Sequence, residues 1–399
     1  MKKKLLFVIR DMSINGATKS LINLLSLLDP NKVDVDLFLF SHRGVLLDQI
    51  PSYVNLLPED KELSESELPV KKLISLRKWT KALQKAFCAI LFRINKNWSA
   101  YLRLWRRVSI LDKNYDIAIG YTEGVSSLFV IHKVRARYKW GWVHTALISA
   151  DTGLRYHRGV YQKLDAAICV STGCYDEFVK AFPECKEKAT VFENILPVKQ
   201  IIELANQPLD DQVYFNKQGV KILTVARLDP AKGIDRAVNV CEKLIKNGYN
   251  IYWYVVGEGK QRAEIETLIN KKGLQKRFIL LGNKPNPYPY IKKADIVVMP
   301  SRYEGKSIAI SEAKILCRPI ITTDYSTAHE QINNGVDGLI VPNNEEGLFK
   351  GIKLLLDDPN KKVQLVNKLN SQAAKNDNAV ENFYRMIDKF IIGVGKEKR

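Results

Sequence analysis

Short apolar runs alternate with segments of helical periodicity along this chain, and the alternation starts twice. Runs that fit buried strands occur in both halves of the 399 residues. They cover 5–9, 33–40, 116–120, 140–143 and 166–170, and then 220–226, 251–256, 278–281, 296–299 and 319–322. Segments of helical length lie between many of these runs, as in βαβ units. The pattern predicts an α/β fold with two doubly wound parallel sheets.

The two halves predict separate domains. A single hydrophobic core stops growing at about 250–300 residues, and a content of 46% hydrophobic residues excludes a disordered chain. A polar, proline-containing stretch from 194 to about 219 separates the halves. We expect Rossmann-like domains over 1–200 and 201–378, followed by a helical segment over 379–399. Ligands of such domains bind at the carboxyl ends of the strands.

The charge and the cysteines narrow the class of protein. A net charge of +19 indicates a polyanionic partner, which is nucleic acid, an anionic membrane or a phosphorylated ligand, and no nucleic-acid motif is present. The six cysteines are dispersed, as is typical of a reducing compartment. The N-terminal apolar run ends at Arg10, which is early for a signal peptide, and no run is long enough to span a membrane. We expect a cytoplasmic protein, peripheral on the inner face of the cytoplasmic membrane.

Residues 71–113 hold twelve basic residues and one acidic residue. Large apolar residues recur between them at three- and four-residue intervals, without proline or glycine. Basic amphipathic helices of this kind bind anionic membrane surfaces. Two alternatives stay open, namely helices that pack their apolar stripe on the domain and a nucleic-acid contact. Because a solvated face normally mixes charges of both signs, the composition favours the membrane.

A basic turn follows the predicted strand 220–226. Arg227 lies at the end of this strand and Lys232 at the start of the next helix, where free N–H groups and the helix dipole favour an anion. Two cations at a helix N-terminus suit a diphosphate without a divalent metal. A surface turn with two solvated charges is the alternative.

A second stretch, 301–313, follows the predicted strand 296–299. Gly305 permits a tight turn before a helix that begins near Ser307 and points its free amides at the loop. Glu304 lies in the loop and Glu312 in the helix, so we expect both carboxylates to face one cleft at different depths. This arrangement suits a ligand with hydroxyls at its ends and phosphates between them. The alternative is one helix-capping charge and one solvated residue.

These residues together resemble the retaining glycosyltransferases of family 4, which are nucleotide-sugar enzymes with the GT-B fold. In that fold two Rossmann-like domains face each other across a cleft. The pair Glu304 and Glu312, in a Glu-x7-Glu motif, and the pair Arg227 and Lys232 carry the resemblance. It implies that Glu304 contacts the donor sugar, that Glu312 binds the nucleotide ribose and that the two cations neutralise the diphosphate. It also implies an acceptor-binding N-terminal domain, to which the C-terminal segment returns.

Two segments of the first half extend the resemblance. Asn15-Gly16-Ala17 is similar to the glycine-rich loop that closes near the diphosphate and the acceptor, and Trp142-Val143-His144 is similar to the segment that places a histidine beside the donor sugar. A lone histidine after an apolar strand is more often structural. The resemblance implies catalytic roles for Glu304, His144, Arg227 and Lys232. It implies donor-binding roles for Gly16, Arg227, Lys232, Gly305, Lys306, Ser307, Ile308 and Glu312.

The sequence departs from the family pattern in two places. Lys306-Ser307 replaces the aromatic and proline residues that are usual after Glu-Gly, and Thr145-Ala146 stands where an acidic residue is frequent. These departures leave the identity of the sugar open.

The resemblance implies transfer of a hexosyl unit from a nucleotide diphosphate sugar, expected to be a UDP-sugar, with retained configuration. The expected acceptor is a glycan or a polyprenyl-diphosphate-linked oligosaccharide in bacterial surface polysaccharide synthesis. We expect no metal and no cofactor, because the five histidines form no ligand cluster and GT-B enzymes are generally metal-independent. The expected partners are donor, acceptor and an anionic membrane surface, without nucleic acid. A nucleotide-sugar epimerase, or an inactive GT-B protein that binds membrane or nucleic acid, stays open.

Overall fold

The structure is a computed structural model that describes residues 2–95, 105–150, 158–209, 217–372 and 379–393. The chain divides into two compact units. Unit 1 is built from 1–170, 174–193 and 380–399, and unit 2 from 171–173 and 194–379. Each unit contains one parallel β-sheet with helices, so the prediction of two doubly wound sheets is confirmed.

The sheet of unit 1 has the strand order β3-β2-β1-β4-β5-β6-β7, and its paired strands are parallel. Its strands are β1 (Lys3–Ile9), β2 (Val33–Leu39), β3 (Asn55–Leu56), β4 (Leu111–Gly120), β5 (Val134–Val143), β6 (Ala166–Cys169) and β7 (Ala189–Val191). The order reverses at β1 and β4, which are neighbours although β2 and β3 come between them in the sequence. Such a reversal leaves a crevice at the carboxyl ends of the two strands.

Helices connect these strands, and a further helix follows unit 2 in the sequence. They are α1 (Gly16–Leu27), α2 (Lys61–Glu67), α3 (Val70–Ser75), α4 (Trp79–Asn95), α5 (Val125–Lys133), α6 (Arg158–Tyr161), α7 (Thr172–Ala181) and α16 (Ala379–Gly393). Helix α16 lies on the core of unit 1: Phe383 and Ile387 are fully buried, and the ring of Phe390 is 4.9 Å from that of Trp140.

The sheet of unit 2 has the order β10-β9-β8-β11-β12-β13, with parallel pairing throughout. Its strands are β8 (Val220–Val225), β9 (Ile251–Val256), β10 (Phe278–Gly282), β11 (Ile296–Met299), β12 (Ile320–Thr323) and β13 (Leu339–Val341). Its helices are α8 (Val198–Leu204), α9 (Ile234–Lys246), α10 (Arg262–Lys271), α11 (Tyr288–Lys293), α12 (Ile308–Ile315), α13 (Ala328–Gln331), α14 (Glu345–Asp357) and α15 (Pro359–Gln372). Here the order reverses at β8 and β11.

The strands of unit 2 are largely apolar because both faces of the sheet are covered. Ile222 of β8 belongs to one buried cluster, and its neighbour Leu223 belongs to the cluster on the other face. Val298 and Val297 of β11 divide in the same way. Successive side chains of a strand point to opposite faces, so a run of apolar residues fits a sheet between two layers of helices.

The basic segment 71–113 is helical only in part. Its described residues form most of α3, all of α4, a 3₁₀ turn at Trp105–Arg107 and the start of β4, while 96–104 lie outside the described residues. Lys113 is a strand residue and pairs with Asp34 and Asp36, so it does not belong to a helical face. Within the described residues, no helix combines the length and hydropathy that a membrane crossing requires.

Candidate functional site

The basic turn of unit 2 lies between β8 and α9. Asp229 accepts a hydrogen bond from the backbone N–H of Ala231 at 3.1 Å, and this bond caps a 3₁₀ turn over Pro230–Lys232. Gly233 follows with a φ of +64°, and a Cβ there would lie 2.2 Å from the carbonyl oxygen of Pro300. Only glycine fits this position. The backbone therefore presents Lys232 at the carboxyl end of β8, directly before α9.

The sequence-predicted residues Lys232 and Glu304 meet in this unit. The ammonium nitrogen of Lys232 lies 2.5 Å from Oε2 of Glu304, and the two side chains are only 18% and 7% exposed. The hydroxyl of Ser301 donates to Oε1 of Glu304 at 2.7 Å, and the hydroxyl of Thr327 donates to its backbone carbonyl at 3.0 Å. Both carboxylate oxygens and the backbone of Glu304 are thus fixed.

A second ion pair connects the same two loops. The guanidinium of Arg302 donates to both carboxylate oxygens of Asp235, at 2.9 and 2.6 Å, and also to the carbonyl oxygen of Pro230. Burial alone would raise the pKa of Asp235, but the Arg302 guanidinium outweighs it and lowers the pKa below its ordinary value. A two-pronged pair fixes orientation as well as distance. Arg302 therefore helps to hold the Lys232 turn against the Glu304 loop.

Arg227 differs from Lys232 in being held loosely. Its side chain is more than half exposed, and its guanidinium lies 4.0 Å from the carboxylate of Asp229. The structure places Arg227 directly after β8, near the turn that carries Lys232. An exposed guanidinium in this place is accessible to an anion that arrives at the start of α9.

The second carboxylate, that of Glu312, contacts different residues from those that hold Glu304. It is 1% exposed within α12, and the hydroxyl of Tyr288 on α11 donates a hydrogen bond to it. Burial, together with the Glu312 carboxylate, raises the pKa of Tyr288. Ile308, at the start of α12, is buried in the core of the unit. The sequence predicted the two glutamates on one loop and helix, but gave no indication of Tyr288.

The start of α12 is held by a side-chain amide. Gln331 accepts a hydrogen bond from the backbone N–H of Ser307 at 2.7 Å and donates to its carbonyl oxygen at 2.8 Å. The N–H of Ser307 is therefore engaged within the protein, and the helix dipole is left to the N–H groups of the first turn. Gly305 is buried and does not adopt a positive φ. Its backbone conformation therefore does not require glycine, in contrast to the expected glycine-specific turn. Lys306 is partly exposed.

In unit 1, the predicted glycine loop begins α1. The side chain of Asn15 accepts from the N–H of Thr18 at 3.0 Å, and the Thr18 hydroxyl accepts from the N–H of Asn15 at 3.1 Å. This reciprocal pair is a capping box. Gly16 is the first helical residue and is exposed, and a Cβ there would meet no atom within 4 Å. The fold of the chain therefore does not itself require glycine at this position.

His144 is the other predicted residue of unit 1, and it follows β5. Its Nε2 lies 2.9 Å from the carbonyl oxygen of Tyr121, so Nε2 carries the proton and Nδ1 is the accepting nitrogen. The carboxylate of Glu123 accepts from the backbone N–H groups of His144 and Thr145 at 2.5 and 2.8 Å. Burial lowers the pKa of His144. The histidine is therefore neutral at pH 7 and positioned by its neighbours.

In each unit a predicted residue, or its hydrogen-bond partner, follows each of the two strands at which the strand order reverses. Gly16 follows β1 and Tyr121, the partner of His144, follows β4; these two strands are neighbours in unit 1. Lys232 follows β8 and Glu304 follows β11, which are neighbours in unit 2. Crevices of this kind are the usual ligand sites of open parallel sheets.

Several residues that position the site were not predicted from the sequence. They are Ser301, Thr327, Gln331, Tyr288 and Glu123. Only Ser301 and Glu123 had a local signal, since each is close in sequence to the end of a predicted strand. The other three lie in unit 2, Tyr288 on α11 and Thr327 and Gln331 at the two ends of α13, and no spacing relates them to the residues that they hold.

Comparison with known proteins gives a family match for part of the chain and a fold for nearly all of it. Residues 206–376 match the family model described as "Glycosyl transferases group 1". The chain is 28% identical over 216 residues, 54% of its length, to a Campylobacter jejuni enzyme named N-acetylgalactosamine-N,N'-diacetylbacillosaminyl-diphospho-undecaprenol 4-alpha-N-acetylgalactosaminyltransferase. The alignment covers 57% of that enzyme, and the chain spans 33–57% of the length of such curated relatives.

Two solved structures share the GT-B fold over nearly the whole chain. Anabaena HepE in complex with UDP-glucose has a TM-score of 0.68 and 17% identity, with 99% of this chain and 100% of that chain covered. S. aureus TarM, in a mutant complex that includes UDP, has a TM-score of 0.70 and 15% identity, with 97% and 100% covered. The expected GT-B fold is therefore confirmed.

Proposed function

We propose that the chain, whose residues 206–376 match the glycosyl transferases group 1 family model, transfers a hexosyl unit from a UDP-sugar to a hydroxyl of a glycan or lipid-linked acceptor. The observation that carries the proposal is the buried pair of Lys232 and Glu304 at the point where the strand order of unit 2 reverses. It provides one cation for a diphosphate and one carboxylate for a sugar hydroxyl, next to each other.

The leaving group of this reaction is a nucleoside diphosphate, whose negative charge grows as the glycosidic bond breaks. Arg227 and Lys232 stabilise this charge together with the N–H groups of the first turn of α12. A diphosphate that reaches Lys232 competes with Glu304 for the ammonium group. Glu304 then has a carboxylate oxygen available for a donor hydroxyl, while Ser301 continues to hold the other oxygen. Glu312 binds the ribose in this proposal.

The proposal includes retention of the anomeric configuration. By its position, Glu304 is the candidate for a covalent nucleophile, but its carboxylate is held by Lys232 and Ser301. We therefore propose that the acceptor hydroxyl attacks on the face from which the diphosphate leaves, and that a phosphate oxygen takes up the acceptor's proton. His144, neutral with Nδ1 as its accepting nitrogen, orients a donor hydroxyl. The configuration of the product, read by NMR of the purified glycoside, tests this step.

The choice of donor and acceptor is supported by the relatives. The Campylobacter enzyme's name includes a diphospho-undecaprenol acceptor, and the HepE and TarM complexes contain UDP-glucose and UDP, respectively. We extend the lipid-linked acceptor and the UDP-sugar donor to this chain. We propose that its acceptor is a polyprenyl-diphosphate-linked oligosaccharide in bacterial surface polysaccharide synthesis. The reaction would then take place at the inner face of the cytoplasmic membrane.

Transfer without a metal ion is part of the proposal. In the described ranges, no group of three or more His, Cys, Asp or Glu side chains is arranged to hold a metal ion. Lys232 and Arg227 supply the positive charge that a metal would otherwise bring to a diphosphate. An unchanged rate of transfer in excess chelator would agree with a metal-free reaction. Loss of transfer in chelator, restored by added Mg²⁺, would contradict a metal-free reaction.

The test is a panel of nucleotide sugars incubated with the chain and acceptors, read as nucleoside diphosphate release. Arg227→Ala and Glu312→Ala should each lower transfer by about a hundredfold, because each removes a contact to the donor in a protected site. Arg262→Ala and Glu346→Ala are matched controls on the exposed surface of unit 2 and should transfer at nearly the wild-type rate. Near wild-type transfer by the first two variants would show that the site is wrongly assigned.

The same panel separates the alternatives. An epimerase would convert the free donor without any acceptor and release no nucleoside diphosphate. An inactive protein would release none and would gain no thermal stability from UDP, whereas an intact site is stabilised by its nucleotide.

A further inference from the structure

Helix α4 of unit 1 has its apolar face turned away from the core. Over 79–90, where its side chains are described, the most exposed large apolar ones are those of Trp79, Leu83, Phe87 and Ile90, which are 55–71% exposed. At 3.6 residues per turn they lie within an arc of about 80° on the helix surface. A helix of a globular domain normally buries such an arc. Here the stripe is presented to solvent, so we call Trp79, Leu83, Phe87 and Ile90 the outer row.

The inward side of α4 is small and polar. Among the described side chains of α4, over 79–90, Ala82 and Cys88 are the buried apolar ones, and Ala82 belongs to a small cluster with Leu73 of α3. Lys81 pairs with Glu62 and Glu65 of α2, and Lys85 donates to two carbonyl oxygens at the end of α2, each at 2.6 Å. These contacts fix the rotation of the helix. Turning the outer row inward would break them and would bring large side chains where alanine and cysteine now fit.

The exposed apolar side chains of the described residues are concentrated around the outer row. The described residues include fourteen exposed large apolar side chains, and six of them lie in 74–90, where Ile74 and Leu76 precede the row. Isolated apolar side chains on a surface need no explanation, whereas a contiguous group marks an interaction site. The outer row, whose four side chains share one arc of α4, is therefore a surface with a partner.

The charge beside the outer row selects the partner. Lys78, Lys81 and Lys85 are engaged with α2, which removes them from the count of free cations. Lys71, Lys72 and Arg77 are exposed and precede the row in the sequence, and all three are positively charged. A second copy packed on the same face would bring like charges together, because a two-fold contact pairs each patch with itself. An anionic surface meets no such repulsion.

We propose that the outer row inserts into the interface of an anionic lipid bilayer and that Lys71, Lys72 and Arg77 contact lipid phosphates. A helix with an apolar outer face and basic flanks lies in the membrane plane with that face among the acyl chains. The inference rests on the proposed function in one respect: the membrane contact brings the protein to the membrane-linked acceptor of that function. It assigns the contact to one face of α4, whereas the sequence alone indicated a basic segment of more than forty residues.

Flotation of the full chain with vesicles tests the proposal. The chain should float with vesicles of equal phosphatidylglycerol and phosphatidylcholine, much less with phosphatidylcholine alone, and less as salt is added. The variant L83Q/F87Q should lower the bound-to-free ratio by at least about tenfold, because each side chain loses apolar area buried in lipid. The matched control L354Q/V363Q, on exposed apolar residues of unit 2, should float as wild type.

A spectroscopic measurement identifies the face directly. Trp79 is 58% exposed, while Trp105, Trp140, Trp142 and Trp253 are fully buried. The sixth tryptophan, Trp98, lies outside the described residues, so the measurement uses the Trp98→Phe background. Anionic vesicles should shift the tryptophan emission of this variant to shorter wavelength, and W79F/W98F should abolish the shift. A shift that persists in W79F/W98F would contradict insertion of the outer row.

Three further outcomes would overturn the proposal. These are flotation of L83Q/F87Q equal to wild type, equal flotation with phosphatidylcholine alone, and a dimer in light scattering that L83Q/F87Q dissociates. UDP release from the donor by L83Q/F87Q, measured in parallel without vesicles, should equal that of wild type and shows that the variant is folded. Wild-type protein that floats but never releases nucleoside diphosphate would contradict the proposed function and leave this surface supported.

Discussion

Lys232 and Glu304 form an ion pair with 2.5 Å between Nζ and Oε2, although 72 residues separate them in the sequence. One follows β8 and the other follows β11, and these strands are neighbours in the sheet of unit 2. The pair brings together the two stretches that the sequence identified independently. Because both side chains are largely buried, each depends on the other for compensation of its charge.

Removing one partner of this pair should cost more than removing both. Lys232→Met leaves the Glu304 carboxylate buried without its cation, and we expect a loss of about 3 kcal/mol in the free energy of unfolding. The double variant K232M/E304Q should recover most of this loss. Denaturant unfolding measures both values. Lys243→Met, in an exposed pair with Glu346, is the control and should cost less than about 1 kcal/mol. Equal losses in the single and double variants would contradict the coupling.

Gly16→Ala separates a ligand-binding role of Gly16 from a structural one. A Cβ at Gly16 meets no atom within 4 Å and the residue begins α1, so alanine should stabilise the chain by about 0.4–1 kcal/mol. If the donor or acceptor approaches this backbone, the same substitution should raise KM for one of them. Gly159→Ala, at another glycine with open space around it, should leave KM unchanged. Unaltered steady-state kinetics of Gly16→Ala would remove Gly16 from the site.

Gln331→Ala should loosen the start of α12. It leaves the buried N–H and carbonyl of Ser307 without their side-chain partner, at a cost of about 1–3 kcal/mol in stability. Affinity for UDP, measured by calorimetry, should fall as well, because the first turn of α12 is positioned through Ser307. A thermal shift without any loss of UDP affinity would assign Gln331 a purely structural role.

The pH response of His144 follows from its lowered pKa. Burial lowers this pKa below the ordinary value of 6.5, so the folded state binds fewer protons than the unfolded state as the pH falls. The stability due to the neutral imidazole is present above the unfolded pKa and is lost as the pH falls through the folded one. NMR titration of the imidazole, assigned with His144→Gln, should give a midpoint below 6.5. A midpoint at or above 6.5 would contradict the buried, neutral state.

Local patterns predicted the strands and the site motifs, because both depend on neighbours in sequence. Apolar runs such as 251–256 coincide with a strand, and the Glu304 loop follows β11 as expected. The rotation of α4 was not predictable from periodicity, since a stripe does not reveal whether it faces the core. That choice is made by Glu65, on another helix, which attracts Lys81. The short strands β3 and β7 carry too few residues for a pattern.

The site could be predicted as motifs but not as contacts. Glu304 and Lys232 each stood out by local context, whereas their pairing requires the adjacency of β8 and β11. Gln331 and Tyr288 had no signal, because an amide or a hydroxyl at a helix end is common and acquires its role only from the chain packed beside it.

Helix α16 makes unit 1 discontinuous in sequence, and this has a use in protein engineering. Lys3 of β1 forms an ion pair with Asp388 of α16, and the hydroxyl of Tyr384 accepts from the N–H of Asp29, so the first strand and the last described helix lie side by side. A circular permutant that joins these ends and opens between 193 and 194 would carry almost all of each unit as one uninterrupted stretch. Apart from the three residues 171–173, which belong to unit 2, the polypeptide would then pass from one unit to the other only near 379–380, so a single truncation there would separate almost all of one unit from the other.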